Sequence, residues 1–288
     1  MIVSIASGKG GTGKTTLAVN LALSLPRETV QLIDCDVEEP NAHLFLHPRM
    51  DHLSPVIIPV PRIDESKCTF CGKCAQICEY HALLVFPKTV LVFDELCHGC
   101  GACSYLCPEK AIQEVEREIG VVEEGFADGL SFAHGILNVG EPMASPVIRK
   151  VKESVRKDRI VLLDAPPGTA CPVIETVKGS DVCLLVTEPT PFGLNDLELA
   201  VGMVKSLNVP MGVVVNKADV GDRTVWDYCA SEKIPILMEI PMDRKIAESY
   251  SIGVPIVVEH PSYMQGFKDL FQKLEKLHES NRRNRKTE

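Results

Sequence analysis

Two groups of residues in this chain have the types and spacing for chemistry. The first is Gly8-Lys9-Gly10-Gly11-Thr12-Gly13-Lys14-Thr15, which fits G-x-x-x-x-G-K-[ST]. Glycines in such a turn let backbone N–H groups surround phosphate oxygens, and a helix N-terminus adds positive potential. Lys14 is placed to reach the terminal phosphates and the Thr15 hydroxyl to ligate Mg²⁺, so Gly8, Gly10, Gly11, Thr12, Gly13, Lys14, Thr15 and Thr16 form the expected phosphate site. The second group is Cys68, Cys71, Cys74 and Cys78, repeated at the same C-x₂-C-x₂-C-x₃-C spacing as Cys97, Cys100, Cys103 and Cys107. Eight of the 12 cysteines fall in this short stretch, and such clustering favours metal over disulfides. Zinc ribbons also use C-x₂-C pairs, but they leave the third and fourth cysteine of each run unexplained. His81 and His98 lie near the runs; with eight thiolates at hand they read as outer neighbours or solvated side chains.

The elements that must position these residues follow from apolar runs and their punctuation. Residues 2–6 form a short apolar run, then come the glycine loop and Leu17, Leu21 and Leu25 at helical spacing up to Pro26. That is strand, loop, helix. Residues 29–33 form the next strand, ending in Asp34-Cys35-Asp36, whose two carboxylates, two residues apart, are expected on one face. Further strands at 160–163, 182–186, 211–215 and 234–240 alternate with helical stretches such as 194–207. Continuous apolar strands joined by helices predict an α/β fold, a doubly wound, mostly parallel sheet. Ligands in such sheets bind beyond the strands' carboxyl ends, where Asp34, Asp36, Asp164 and Asn216-Lys217-Ala218-Asp219 emerge. The pattern breaks between about 59 and 140, where 118–123 and 130–139 read as a hairpin. The expected organisation is a discontinuous domain at 1–58 and 141–288, an insert at 59–115 and a connecting hairpin-like segment at 116–140. The insert has little core of its own, and metal clusters would supply its cohesion. Near the C-terminus, Phe267, Leu270, Phe271, Leu274 and Leu277 form one stripe expected on the sheet, before a polar tail with Arg282, Arg283, Arg285 and Lys286.

Composition excludes several classes. The 288 residues are 45% hydrophobic and 24% charged, with a mean hydropathy of +0.08, which is not a disordered chain. Thirty basic against 39 acidic residues leave a net charge of −9, so nucleic acid is not an expected partner. No apolar run reaches the ~18 residues of a membrane span, and no signal-type segment opens the chain, so a cytoplasmic protein without membrane attachment is expected.

Lys9, ahead of Lys14, makes the glycine loop resemble the deviant Walker-A ATPases of the MinD, ParA, Mrp and nitrogenase-iron-protein type, with their K-G-G-x-G-K-[ST] signature. The resemblance implies a homodimer formed around two ATP molecules, with Lys9 reaching the partner's phosphates and stabilising charge as the γ-phosphoryl leaves. Lys9, Lys14 and Asp36 are then the catalytic residues. Asp36, in an apolar run followed by Asp-x-Asp and Asn41, would orient the attacking water; Asp34 would assist or cap the following turn. Asp164 in Val161-Leu-Leu-Asp-Ala-Pro-Pro-Gly168 resembles the Walker-B and switch II segment that holds Mg²⁺ with Thr15, and Gly168 lets that loop move. Asn216, Lys217 and Asp219 resemble a base-recognition loop. The N-K-x-D match alone leaves the base open, because its aspartate reads guanine in related GTPases; the other motifs tip the reading to ATP. Pro241 would wall the base pocket or simply end a strand.

The cysteine runs resemble bacterial ferredoxins, which implies two [4Fe–4S] clusters with crossed ligation in a small α+β ferredoxin-like insert: Cys68, Cys71, Cys74 and Cys107 on one cluster, Cys97, Cys100, Cys103 and Cys78 on the other. The first run has Glu79 where proline follows in that family, which puts local helix geometry in question. Cys183 and Cys229 read as core residues, and Cys35 also lies outside the runs. Cys171, just past the switch-II-like segment, faces a subunit seam or merely starts a helix; neither the iron-protein spacing nor the terminal C-x-x-C of Mrp-type carriers is present. The implied function is an ATPase coupled to assembly or transfer of a metal or iron–sulfur cluster to an acceptor protein. An ATP-gated electron donor to a redox partner is the alternative, and a MinD/ParA-like positioning ATPase a third reading.

Overall fold

The computed structural model describes residues 1–284, apart from the Asn284 side chain; Arg285 and Lys286 of the basic tail lie outside the described residues. The strands in chain order are β1 (Ile2–Ala6), β2 (Val30–Asp34), β3 (Arg49–Ile63), β4 (Leu83–Phe86), β5 (Thr89–Val92), β6 (Ile112–Ala127), β7 (Leu130–Leu137), β8 (Ile160–Asp164), β9 (Val182–Thr187), β10 (Met211–Asn216) and β11 (Ile236–Ile240). Nine of them make one sheet in the order β11-β10-β9-β1-β8-β2-β7-β6-β3, and β4 pairs with β5 separately. From β11 to β7 every pairing is parallel. The expected mostly parallel α/β sheet is therefore present.

Both faces of the parallel strands are covered, which is why they are apolar throughout rather than alternating. Leu32, Leu162 and Leu184 point into a core shared with the helices Lys14–Leu23 and Met264–Asn284. Their neighbours Ile33 and Leu163 face the helix Ala144–Lys152, and Leu185 the helix Pro191–Ser206. Each such leucine, fully buried, contributes roughly 1.5–3 kcal/mol. The stripe of Phe267, Leu270, Phe271 and Leu274 is buried on the sheet, with Leu277 packed beside it. Cys35, Cys183 and Cys229 are buried too, and Cys171 is exposed at the start of the helix Cys171–Val177.

Residues 116–140, read in sequence as a connecting hairpin, are built into the sheet itself. Strand β6 turns through Asp128 and Gly129, at φ 47° and 91°, back into antiparallel β7. Positive φ at both central residues gives the turn whose twist suits a two-residue hairpin, and Asp-Gly is its common sequence. Strand β7 then lies parallel to β2. The expected boundaries after 58 and 115 fall inside continuous strands, because β3 and β6 pair antiparallel from Arg49↔Phe126 to Ile63↔Ile112. This ribbon leaves the sheet and carries residues 64–111 at its tip. As the outermost strand, β3 holds Pro55, Pro59 and Pro61.

The tip is a small lobe. The inner residues Leu83 and Val90 of the β4–β5 hairpin pack with Cys103, Cys68, Cys74 and Cys78. Ala82 and Cys97 instead join Val56, Ile58 and Val60 of the ribbon in the large core. The Arg62 guanidinium donates to both Asp94 oxygens, at 2.7 and 2.6 Å. Arg117 ties Glu141 to the Asp94 carbonyl, so lobe, ribbon and the segment before Ala144–Lys152 meet at one residue.

Candidate functional site

The glycine loop sits at the carboxyl end of β1, between β8 and β9. Space forces Gly8, where a Cβ would lie 2.1 Å from the Asp196 carbonyl oxygen, and positive φ favours glycine at Gly11 and Gly13. Gly13, at φ 95°, immediately precedes the helix Lys14–Leu23, so Lys14, Thr15 and Thr16 open its first turn. Thr12 and Lys14 are buried. Gly10 and Gly11 are exposed at the loop's crest, leaving main-chain donors accessible to a phosphate.

Three carboxylates converge on Lys14. Burial pushes its ammonium below the usual lysine range, while Asp164, Asp36 and Asp34 pull it back up. Asp164 ends β8, fully buried, and neither of its oxygens has a hydrogen-bond partner of good geometry. Burial and then the Asp34 charge raise its pKa well above the ordinary carboxylate range, with Thr15 and Lys14 acting in the opposite sense. An orphaned buried carboxylate beside a hydroxyl and an ammonium suits a divalent cation arriving with a phosphate. Asp34 has a different job. Its oxygens accept from the backbone N–H groups of Asp36, Asn41 and Ala42 at 2.9–3.0 Å, so it caps the turn. Asp36 lies beyond the end of β2, so strand alternation does not place it on a face with Asp34 as expected from sequence; the cap places it. Burial, with Asp34 next, raises the Asp36 pKa to about 7.

The loop after β10 reaches back to this site. Asn216 Nδ2 donates to the Thr12 carbonyl at 2.8 Å, and Asp219 Oδ1 accepts from Met242 N at 2.6 Å, next to Pro241 just past β11. Sequence reasoning misses Glu188. It follows β9 directly and holds two lysines, Lys217 Nζ at 2.7 Å and Lys9 Nζ at 3.5 Å. The signal was a carboxylate at the end of an apolar strand, the same signal that marks Asp34 and Asp164.

Sequence reasoning also misses the link from this site to the ribbon. His134, in register with Asp34, is buried with its Nε2 2.7 Å from Glu123 on β6. Leu137 N, at the end of β7, donates to the Val37 carbonyl at 2.8 Å, so the loop that carries Asp36 is tied to the strand that pairs with the ribbon's β6.

In the lobe the cysteines sort into two small open cavities. Cys68, Cys71, Cys74 and Cys107 line one, and Cys78, Cys97, Cys100 and Cys103 line the other. Backbone N–H groups of Phe70, Ala82 and Ala111 donate to the sulfurs of Cys68, Cys78 and Cys107 at 3.3–3.4 Å. Cys78 and Cys107 lie just past the helices Lys73–Ile77 and Ala102–Tyr105, where the chain can cross to the other cavity. Glu79 is exposed. His81 is exposed as well, and His98 lies at the second cavity stacked on Tyr80 at 3.5 Å. Burial pushes the Cys103 thiol up to about 11, so a metal bound to its sulfur would have to displace a proton. Among the described residues no three His, Cys, Asp or Glu side chains are close enough to hold a single metal ion.

Loop, strand-end carboxylates and sheet order define a P-loop nucleotide-binding protein. Residues 3–256 match the profile of the CobQ/CobB/MinD/ParA nucleotide binding domain, and the chain belongs to that family. It is 31% identical to an uncharacterized protein of Methanocaldococcus jannaschii, covering 96% of this chain and 97% of that one. It is 24% identical to the iron-sulfur cluster carrier protein of Pyrococcus horikoshii, over 94% of this chain and 84% of that protein. In fold it is similar to the septum site-determining protein MinD of Pyrococcus horikoshii, solved with Mg-ADP, at TM-score 0.58 and 21% identity over 96% of each chain. No helix among the described residues is long and apolar enough to cross a membrane.

Proposed function

We propose that this chain is an ATPase that pairs around two ATP molecules and couples the nucleotide cycle to a ferredoxin-like lobe at 64–111, serving assembly or transfer of an iron–sulfur cluster to an acceptor protein. The observation that carries this reading is the crossed sorting of eight cysteines into two four-cysteine cavities at the tip of a ribbon whose neighbouring strand β7 is tied to the Asp36 loop. The likeness to an iron-sulfur cluster carrier protein adds support.

In this reading each residue takes the following part. Main-chain donors from Gly8 to Gly13 and the buried Lys14 bind the phosphates. Thr15 and Asp164 would hold Mg²⁺, which neutralises charge that the site concentrates. Asp36 orients the attacking water, and Lys9 of the opposite copy stabilises the leaving charge, so catalysis is positioning and electrostatics. Asp219, with one oxygen taken by Met242 N, is poorly free to accept the two donors of guanine, which favours adenine. Cys68, Cys71, Cys74 and Cys107 would hold one [4Fe–4S] group and Cys78, Cys97, Cys100 and Cys103 the other; bound there, the groups supply one-electron storage.

Complete four-cysteine sets with N–H···S bonds also favour a second reading, electron delivery to a redox partner, because such sites retain what they bind. Anaerobic purification is expected to yield a brown protein with about eight irons per chain; a colourless protein with two zincs would overturn the assignment. Loss of iron from the chain, matched by gain on an apo-acceptor and stimulated by ATP, supports transfer. ATP-dependent reoxidation with iron retained supports electron delivery instead.

A further inference from the structure

Glu188 occupies a place that sheet order makes special. Strand β9 lies between β1 and β10, so the residue following it stands between the phosphate loop and the base loop. Each of those loops sends it a lysine, Lys9 from one side and Lys217 from the other. Glu188 is itself fixed: its carbonyl accepts from Thr190 N at 2.9 Å, and Thr190 caps the helix Pro191–Ser206 by accepting from Gly193 N. Gly193 packs so closely that a Cβ there would meet the Glu188 carbonyl at 2.1 Å. Lys217 is fixed too, at φ 53°, with its N–H on Asn216 Oδ1 at 3.0 Å. Lys9 has the looser hold, at 3.5 Å against 2.7 Å for Lys217.

We infer that Glu188 is a positioning residue that parks Lys9 on its own subunit, and that Lys9 must leave this post before it can reach across to a second copy. This rests on the proposed role of Lys9 in the paired state. The unequal distances give the post its logic. When Lys9 departs, Lys217 still neutralises Glu188, so no largely buried carboxylate is left unpaired and release is cheap. A partly exposed pair of this kind is worth on the order of a threefold change in equilibrium. Each pairing event frees two lysines, so the dissociation constant of the pair carries the effect squared, roughly tenfold.

The test compares the wild type, Glu188→Gln, Lys9→Ala and the double variant by sedimentation, with Mg²⁺ and a non-hydrolysable ATP analogue at saturation. Glu188→Gln is expected to tighten pairing about tenfold, and to have no effect in the Lys9→Ala background, where nothing is parked. A purely structural role for Glu188 would not depend on Lys9. Unchanged or weaker pairing in Glu188→Gln, with Lys9→Ala impaired as expected, overturns the parking role and leaves the trans-lysine reading standing. Unchanged pairing in Lys9→Ala overturns both. Should Glu188→Gln fail to bind ADP, Glu188→Asp carries the same expectations, since the shorter side chain cannot hold both ammonium groups.

Discussion

Asp36 shows how one buried carboxylate links a site to stability. In the fold its pKa is about 7 against an ordinary 3.8, so the folded chain holds this proton more tightly than the unfolded one. Between about pH 4 and 7 the unfolded chain loses the proton first, and stability falls through that window before levelling off. Asp36→Asn should therefore melt a few degrees higher than the wild type at pH 8 without nucleotide, with the gain vanishing near pH 4. Thermal denaturation across that range checks it, and a pH-independent difference would contradict the burial argument. The phosphate loop was legible because backbone approach to phosphate demands glycines and a lysine at fixed spacing. The capping role of Asp34 was left open in the sequence, because a carboxylate at a strand end serves a turn as readily as a ligand. Glu188 was hidden by the same ambiguity: its meaning comes from strands β1 and β10, distant in sequence and adjacent in space.

The parallel strands and the helix stripes were readable as elements, since burial on both faces writes itself as unbroken apolar runs. Strand β3 was not. Its prolines and its exposed residues, such as Leu53 and Ile57, blur any period, and only pairing with β6 makes it extended. The turn between β6 and β7 is the point where register is set. Gly129→Ala, at φ 91°, meets open space apart from Glu28, so its cost is conformational, about 1 kcal/mol. For a chain of this size that corresponds to a Tm lower by about 2–4 °C. Asp128→Asn should be nearly neutral, because asparagine also adopts positive φ. A loss with Asn as large as with Ala would point to the Arg27–Asp128 ion pair rather than to the turn.

Across the molecule, two kinds of cohesion coexist. The sheet is held by deep apolar cores on both faces, whereas residues 64–111 have only Leu83, Val90 and Cys103 buried in their own cluster. If the lobe holds the proposed iron–sulfur groups, chelation of iron should expose that segment to protease while changing affinity for an ATP analogue by no more than about twofold. Parallel loss of nucleotide binding would show that lobe and sheet stand or fall together. The motifs made both halves visible in sequence, but not how they are joined, because the long ribbon bears no motif at all.

The prolines of β3 carry one more consequence. A long, bare outer strand is an open zipper half, ready to accept the matching strand of any neighbour and to grow into stacks. Pro55, Pro59 and Pro61 remove teeth from that zipper, since each lacks an N–H to donate. Crowded molecules are thereby steered away from irreversible stacking along this flank, and encounters are left to faces from which a neighbour can still depart.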